Sequence, residues 1–168
     1  MTKKQTRGSS PVEGERPVHS PDNSTSMLPR ARDGSAEPAT ILLVEDEVAL
    51  RGLMRRILER GGYRVLEAEH GAAALAHCAT HAGTIDLVVT DIVMPTMGGR
   101  EMAERLRALR PNSRLLFVSG FSGDEAIRQG IDLADAAYLQ KPFSPASLVA
   151  KIGEMLREPA IVAQTERL

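Results

Sequence analysis

Four short apolar runs in this chain stop on polar or charged residues, and each is followed by a turn or a stretch with helical spacing. They are Ile41-Leu42-Leu43-Val44 before Glu45-Asp46-Glu47, Leu87-Val88-Val89-Thr90 before Asp91, Leu115-Leu116-Phe117-Val118 before Ser119, and Ala137-Tyr138-Leu139-Gln140 before Lys141-Pro142. Runs of this length suit strands buried on both faces. A fifth segment, Tyr63 to Ala68, alternates and predicts a more peripheral strand. The stretches between are helical in period. Leu50, Leu53, Met54, Ile57 and Leu58 share an apolar stripe that Gly61-Gly62 closes. Gly71 to Ala82 is alanine-rich, with Ala72, Leu75, Ala76 and Ala79 on one stripe. Arg100 to Leu109 should bury Met102, Ala103, Leu106 and Leu109. Gly123 to Gln129 predicts a short helix with few apolar anchors, hence a mobile one. Ser144 and Pro145 open a last helix that buries Leu148, Val149, Ile152, Met155 and Leu156. Strand–helix alternation five times over, with short connections, predicts an α/β fold: a doubly wound parallel sheet with helices on both faces.

The folded domain is expected to span 39–158. Residues 1–38 contain five of the ten prolines, six serines, no aromatic residue and no isoleucine. Such a segment cannot bury enough apolar surface to offset its ordering entropy, which predicts a disordered tail. Residues 159–168 form a second, shorter tail. The whole chain carries 21 Lys and Arg against 22 Asp and Glu, which argues against a nucleic-acid binder with a basic face. The single cysteine, Cys78, excludes an internal disulfide framework. No apolar run approaches a membrane span, and no apolar core follows the charged N-terminus as in a secretory signal. A soluble cytoplasmic protein is the expectation.

In a parallel sheet the C-terminal strand tips lie at one end, where ligands bind. Here they carry Glu45 and Asp46 on the first strand, Asp91 on the third, Ser119 on the fourth and Lys141 on the fifth. Three carboxylates crowded together repel one another, and a hard cation such as Mg2+ relieves that. A lysine acts as a point charge and a serine donates one hydrogen bond, so both suit a phosphoryl group. Asp46 could alternatively cap the first helix, Ser119 could be an ordinary loop serine, and Tyr138 could be a packing residue at the sheet edge. His77 and His81, four apart around Cys78, lack a third metal ligand on their face and read as a surface pair.

The pattern resembles the receiver domain of two-component response regulators over residues 40 to 157. It rests on Leu42-Leu43-Val44-Glu45-Asp46-Glu47, Thr90-Asp91-Ile92-Val93-Met94-Pro95 with Gly99, Val118-Ser119-Gly120, and Lys141-Pro142-Phe143. The resemblance implies a flavodoxin-like strand order 2-1-3-4-5. It implies that Asp91 is a carboxylate nucleophile taking a phosphoryl group from a phosphohistidine. Asp46 and Asp91 would bind Mg2+, Glu45 through water, with the backbone carbonyl of Val93 as a further ligand. Lys141 would share the charge on the phosphoryl oxygens, Ser119 would be the switch hydroxyl and Tyr138 the aromatic rotamer switch. The Lys141-Pro142 bond would be cis.

Two positions depart from what an attacking water needs. Val93 and Phe121 would flank the phosphoryl group, and neither side chain can hydrogen-bond water. Slow self-dephosphorylation is the expectation. The function implied is a stand-alone receiver, not an enzyme on other substrates. It takes its phosphoryl group from a sensor histidine kinase or a histidine phosphotransfer protein. It then switches binding of an unknown downstream protein or relays the group onward; a homodimer is one form its switched face could take. A non-phosphorylated adaptor with the same fold is the alternative. A haloacid-dehalogenase-type phosphotransferase would want a second Asp where Val93 stands, and a cap domain for which the chain has no room.

Overall fold

The computed structural model describes residues 37–128, 130 and 136–157. Apart from Glu37 and Pro38, the expected tails lie outside the described residues, as does Gln129 at the end of the expected fourth helix. Among the described residues strands and helices alternate: β1 (Thr40–Val44), α1 (Val48–Arg60), β2 (Arg64–Ala68), α2 (Gly71–Thr80), β3 (Leu87–Asp91), α3 (Gly99–Leu109), β4 (Arg114–Ser119), α4 (Gly123–Arg128), β5 (Ala137–Gln140) and α5 (Pro145–Arg157). All strand pairs are parallel, in the order β2-β1-β3-β4-β5.

Strand period decides the core. Successive side chains point to opposite faces. Leu42, Val44, Val88, Leu115 and Phe117 pack against Ala74 and Cys78 of α2, Met102, Ala103 and Leu106 of α3, and Ala126 of α4. Ile41, Leu43, Leu87, Val89, Leu116 and Val118 pack on the other face against Met54 and Leu58 of α1 and Leu148, Val149, Ile152, Met155 and Leu156 of α5. Strands β1, β3 and β4 are therefore buried on both faces, which is why they read as unbroken apolar runs. β2 sits at the edge, and its alternating sequence matches its half-exposed pattern.

Helix boundaries follow local chemistry. Gly62, at φ 85°, closes α1, with the Tyr63 N–H returning to the Leu58 carbonyl at 3.2 Å. Ser144 caps α5 by accepting from the Ser147 N–H at 3.0 Å. α4 is held by a reciprocal pair: the Ser122 N–H donates to Glu125 Oε2 at 2.7 Å, and the Glu125 N–H donates to Ser122 Oγ at 3.3 Å.

Three sequence expectations turn out differently. Helical spacing puts Leu53 and Leu109 on buried stripes, yet they are 52% and 47% exposed. Leu53 lies off the Met54–Leu58 face of α1 that is buried, and Leu109 is the last residue of α3, at its open end. In α2 the buried positions are Gly71, Ala74 and Cys78, while Ala72, Ala76 and Ala79 face outward. An alanine-rich helix has no polar face to mark its orientation, so periodicity alone does not fix which side packs.

The C-terminal end of α2 is tied down by Arg110. Its Nε donates to the Cys78 carbonyl at 2.8 Å, Nη1 to the Gly83 carbonyl at 2.9 Å, and Nη2 to the His81 carbonyl. Removing such charge-assisted bonds leaves carbonyls at a helix end without partners. Arg110→Ala should lower the unfolding free energy by about 1–3 kcal/mol, read from the urea midpoint. Arg110→Lys should recover only part, because one ammonium cannot span the three acceptors. An unchanged midpoint in Arg110→Ala would contradict the clamp.

Candidate functional site

Register aligns the chemistry. Val44 pairs with Thr90, Asp91 with Val118, and Ser119 with Gln140. Glu45, Asp91, Ser119 and Lys141 therefore leave neighbouring strands at nearly one level. Lys141 Nζ donates to Asp91 Oδ2 at 2.6 Å and to Glu45 Oε2 at 3.0 Å. One ammonium thus bridges residues from the tips of β1 and β3. The second oxygens of both acids are also engaged: Asp91 Oδ1 accepts from the Val93 N–H at 3.1 Å, and Glu45 Oε1 from the Glu47 N–H at 3.3 Å.

The site is built on backbone as much as on side chains. Lys141 is steered by its own N–H, which donates to the Ser119 carbonyl at 2.7 Å, and the Lys141-Pro142 bond is cis as expected. Ser119 is buried, and its hydroxyl oxygen accepts from the Phe121 N–H at 3.4 Å. The Tyr138 hydroxyl donates to the Ser119 carbonyl at 3.2 Å and to the Phe121 carbonyl. It is thereby lodged under the β4–α4 loop, with its ring packed against the core.

Electrostatics follow from depth. The Glu45 side chain is 4% exposed. Burial pushes its pKa above the usual 4.5, and the hydrogen bond and charge of Lys141 pull the other way. Burial likewise opposes the Lys141 charge, but the bonds to Asp91 and Glu45 outweigh it and hold the amine above 10.5. Tyr138 is raised by burial first and by the Asp91 and Glu125 charges next.

Two carboxylates and one ammonium leave the rim negative, before the exposed Asp46 and Glu47 are counted. That donor set fits Mg2+, which takes one or two carboxylates and completes its shell with water and phosphate oxygens. Among the described residues no three of His, Cys, Asp and Glu are already grouped as a metal cage. Lys141 draws Glu45 and Asp91 together, while the Asp46 side chain points to solvent and the Val93 side chain is 61% exposed. Asp46 does not cap α1: the N-cap is Glu47, with no side-chain hydrogen bond. His77, Cys78 and His81 form no metal group either.

The β3–α3 loop beside Asp91 is tightly built. Thr96 adopts φ 70°, and the Met97 N–H returns to the Pro95 carbonyl at 2.8 Å, a γ-turn of the rarer hand. The turn seats Met97 against Gly71, where an added Cβ would lie 2.8 Å from the Met97 Cγ and 3.1 Å from the Met102 Cβ. A Cβ on Gly99 would lie 2.1 Å from the Asp91 carbonyl oxygen. The sequence alone gives no reason for Gly99. Nor does it single out Arg51, whose Nη1 donates to the Glu45 carbonyl at 2.6 Å, or the His70 cap, whose Nδ1 accepts from the Ala73 N–H at 3.1 Å. An arginine in the first turn after an acidic loop was the available signal for the former; histidine is not a preferred N-cap, so the latter had none.

A family model described as the response regulator receiver domain matches residues 41–153. The chain is 41% identical over 120 residues to the sensor kinase CckA of Brucella abortus, covering 71% of this chain and 13% of that one. It is 35% identical to the response regulator receiver protein CpdR of Brucella abortus, covering 69% of this chain and 95% of that one. The chain spans about half the length of several transcriptional regulatory proteins that it also matches. Among solved structures, TrrA of Thermotoga maritima in complex with Mg(2+)-BeF is 30% identical with a TM-score of 0.60, covering 70% of this chain and 98% of that one.

Proposed function

Because the chain belongs to the response regulator receiver domain family, we propose that it is a phosphorylatable switch in which Asp91 accepts a phosphoryl group from a histidine kinase or a histidine phosphotransfer protein. The observation that carries this is the bridge of Lys141 Nζ to both Asp91 and Glu45 at one rim. A carboxylate oxygen of Asp91 attacks phosphorus, the P–N bond to the histidine donor breaks, and an acyl phosphate forms. Lys141, already bonded to Asp91 Oδ2, is placed to take up the charge on the phosphoryl oxygens. Glu45, Asp46, Asp91 and the Val93 carbonyl would hold Mg2+, Glu45 through water; the ion supplies charge neutralisation when bound.

Ser119 is the hydroxyl that turns toward the phosphoryl group. Its movement alters the loop whose carbonyls hold the Tyr138 hydroxyl, which couples the site to the β4–α4–β5–α5 face. A partner, or a second copy of the chain, that prefers the altered face shifts the population by its differential affinity. Residues 39–158 act as the receiver unit. The match to nearly the full length of CpdR supports a stand-alone role, with output through binding or onward transfer; our reading places that role in the cytoplasm. TrrA, solved with Mg(2+)-BeF, supports the cation.

Incubation with Mg2+ and a small acyl phosphate tests this by intact mass and peptide mapping. One added phosphoryl group at Asp91 is the expected result. No uptake would mean an adaptor, and repeated turnover of the donor without a stable adduct would mean a phosphatase; either overturns the proposal. The phosphoryl group should also be long-lived, because Val93 stands exposed beside Asp91 with no group to orient water. Val93→Asn should shorten the lifetime several-fold, and an unchanged lifetime would remove Val93 as the cause.

A further inference from the structure

The β1–α1 connection is three residues long, Glu45 to Glu47, and α1 has no side-chain N-cap to organise it. The connection's N–H groups are held at Glu45, which donates to the Ala68 carbonyl at 3.2 Å, and at Glu47, which donates to Glu45 Oε1 at 3.3 Å; its carbonyls at 45 and 46 are held from one turn into the helix. Arg51 Nη1 donates to the Glu45 carbonyl at 2.6 Å and makes a longer contact to the Asp46 carbonyl at 3.4 Å. The guanidinium is itself anchored: its Nε lies 3.7 Å from Glu67 Oε1 on β2, and Glu67 Oε2 lies 3.4 Å from Arg55 Nε. The Arg51 side chain is only 15% exposed, so its position is set by packing as well as charge.

We propose that Arg51 is a positioning residue for the acidic loop: by gripping the carbonyls of Glu45 and Asp46, it fixes the peptide planes from which the Glu45 carboxylate meets Lys141 at the rim and the Asp46 carboxylate projects into solvent beside it. This rests on the receiver reading above. Groups that orient ligands from behind are worth about 10–100-fold in metal affinity where they have been removed. Charge alone acts in the opposite direction. A guanidinium beside a cation site repels the cation, so loss of Arg51 would tighten Mg2+ binding if it contributed only charge. The two effects therefore differ in sign, and a lysine separates them. Lys keeps the charge but offers a single ammonium in place of a planar fork pre-set toward the carbonyls and Glu67.

The test uses the full chain and its Arg51→Lys, Arg51→Gln and Glu67→Gln variants, titrated with MgCl2 by amide NMR, with hydrogen exchange of the Glu47 and Val48 amides measured without metal. Arg51→Lys and Arg51→Gln should both raise the half-saturating Mg2+ concentration about tenfold. Both should also speed exchange in the loop while leaving the amides of β4 and β5 as in the wild type. Glu67→Gln, at a half-exposed position, should shift both readouts the same way by less. A folded Arg51→Lys that titrates and exchanges like wild type would overturn the inference, as would tighter Mg2+ binding by Arg51→Gln. A wild-type chain that binds no Mg2+ and takes no phosphoryl group would instead overturn the receiver reading, and this inference with it.

Discussion

Lys141→Met should abolish phosphoryl uptake and make stability fall more steeply with rising pH than it does in the wild type. Loss of a single preorganised donor to a developing anion costs about 10²–10³ in rate, so labelling of Asp91 by a small acyl phosphate should fall at least that far. The stability effect has a separate origin. Lys141 Nζ is shared by two carboxylates, and Glu45 is almost wholly buried. Without the amine the two acids face each other across a poorly hydrated rim, at a cost of about 1–3 kcal/mol. Burial already raises the Glu45 pKa above 4.5, and the bond and charge of Lys141 are the main restraint on it, so the variant raises it further. A carboxyl that is less acidic in the folded chain than in the unfolded one adds stability that is complete below 4.5 and lost as pH climbs through the folded value. Urea midpoints of variant and wild type should therefore lie close at about pH 5 and diverge by about pH 8. A constant gap across that range would show that Glu45 is not the group left exposed to the loss.

Gly99→Ala should be the most damaging single-methyl change in the molecule. The added Cβ would meet the Asp91 carbonyl oxygen at 2.1 Å, the Asp91 carbonyl carbon at 3.1 Å and the Ile92 Cα at 3.2 Å. All three are backbone atoms, so no side chain can swing aside. The Gly99 N–H also donates to the Ile92 carbonyl at 3.0 Å, which ties the start of α3 to the end of β3. Relief requires the helix and the strand tip to separate. The cost should reach about 3 kcal/mol, the upper part of the range for overpacked cores. The displaced tip is the one that carries Asp91, and misplacement by about 1 Å can cost about 10²-fold in rate. Phosphoryl uptake measured at a temperature where the variant is still folded separates the two losses. Wild-type uptake in a destabilised Gly99→Ala would show that the strain is absorbed by α3 and never reaches Asp91.

The central strands were legible because burial on both faces leaves no room for polar residues until the tip. Ile41 to Val44 and Leu87 to Val89 read unambiguously for that reason, and their polar endings fell together once the sheet order was known. Lys141 was legible as a strand-tip cation, and it bridges Asp91 and Glu45 as that reading required. Orientation of α2 was not legible, because alanine is equally content inside and outside. The backbone clamps were not legible either. Arg51 and Arg110 act on carbonyls, and a carbonyl leaves no mark in a sequence; either arginine reads as one more solvated charge, in α1 or just past the end of α3.

The seat of Met97 against Gly71 joins two stretches that the chain keeps apart. One is the turn beside Asp91; the other is the first residue of the helix that His70 caps. Because they occupy a single parcel of volume, neither can be retailored alone. A lineage that puts a methyl group at 71 must thin the side chain at 97, and a bulkier residue at 97 forbids anything but hydrogen at 71. Sequence drift in the loop next to the acid is therefore yoked to drift at a helix start that touches no substrate.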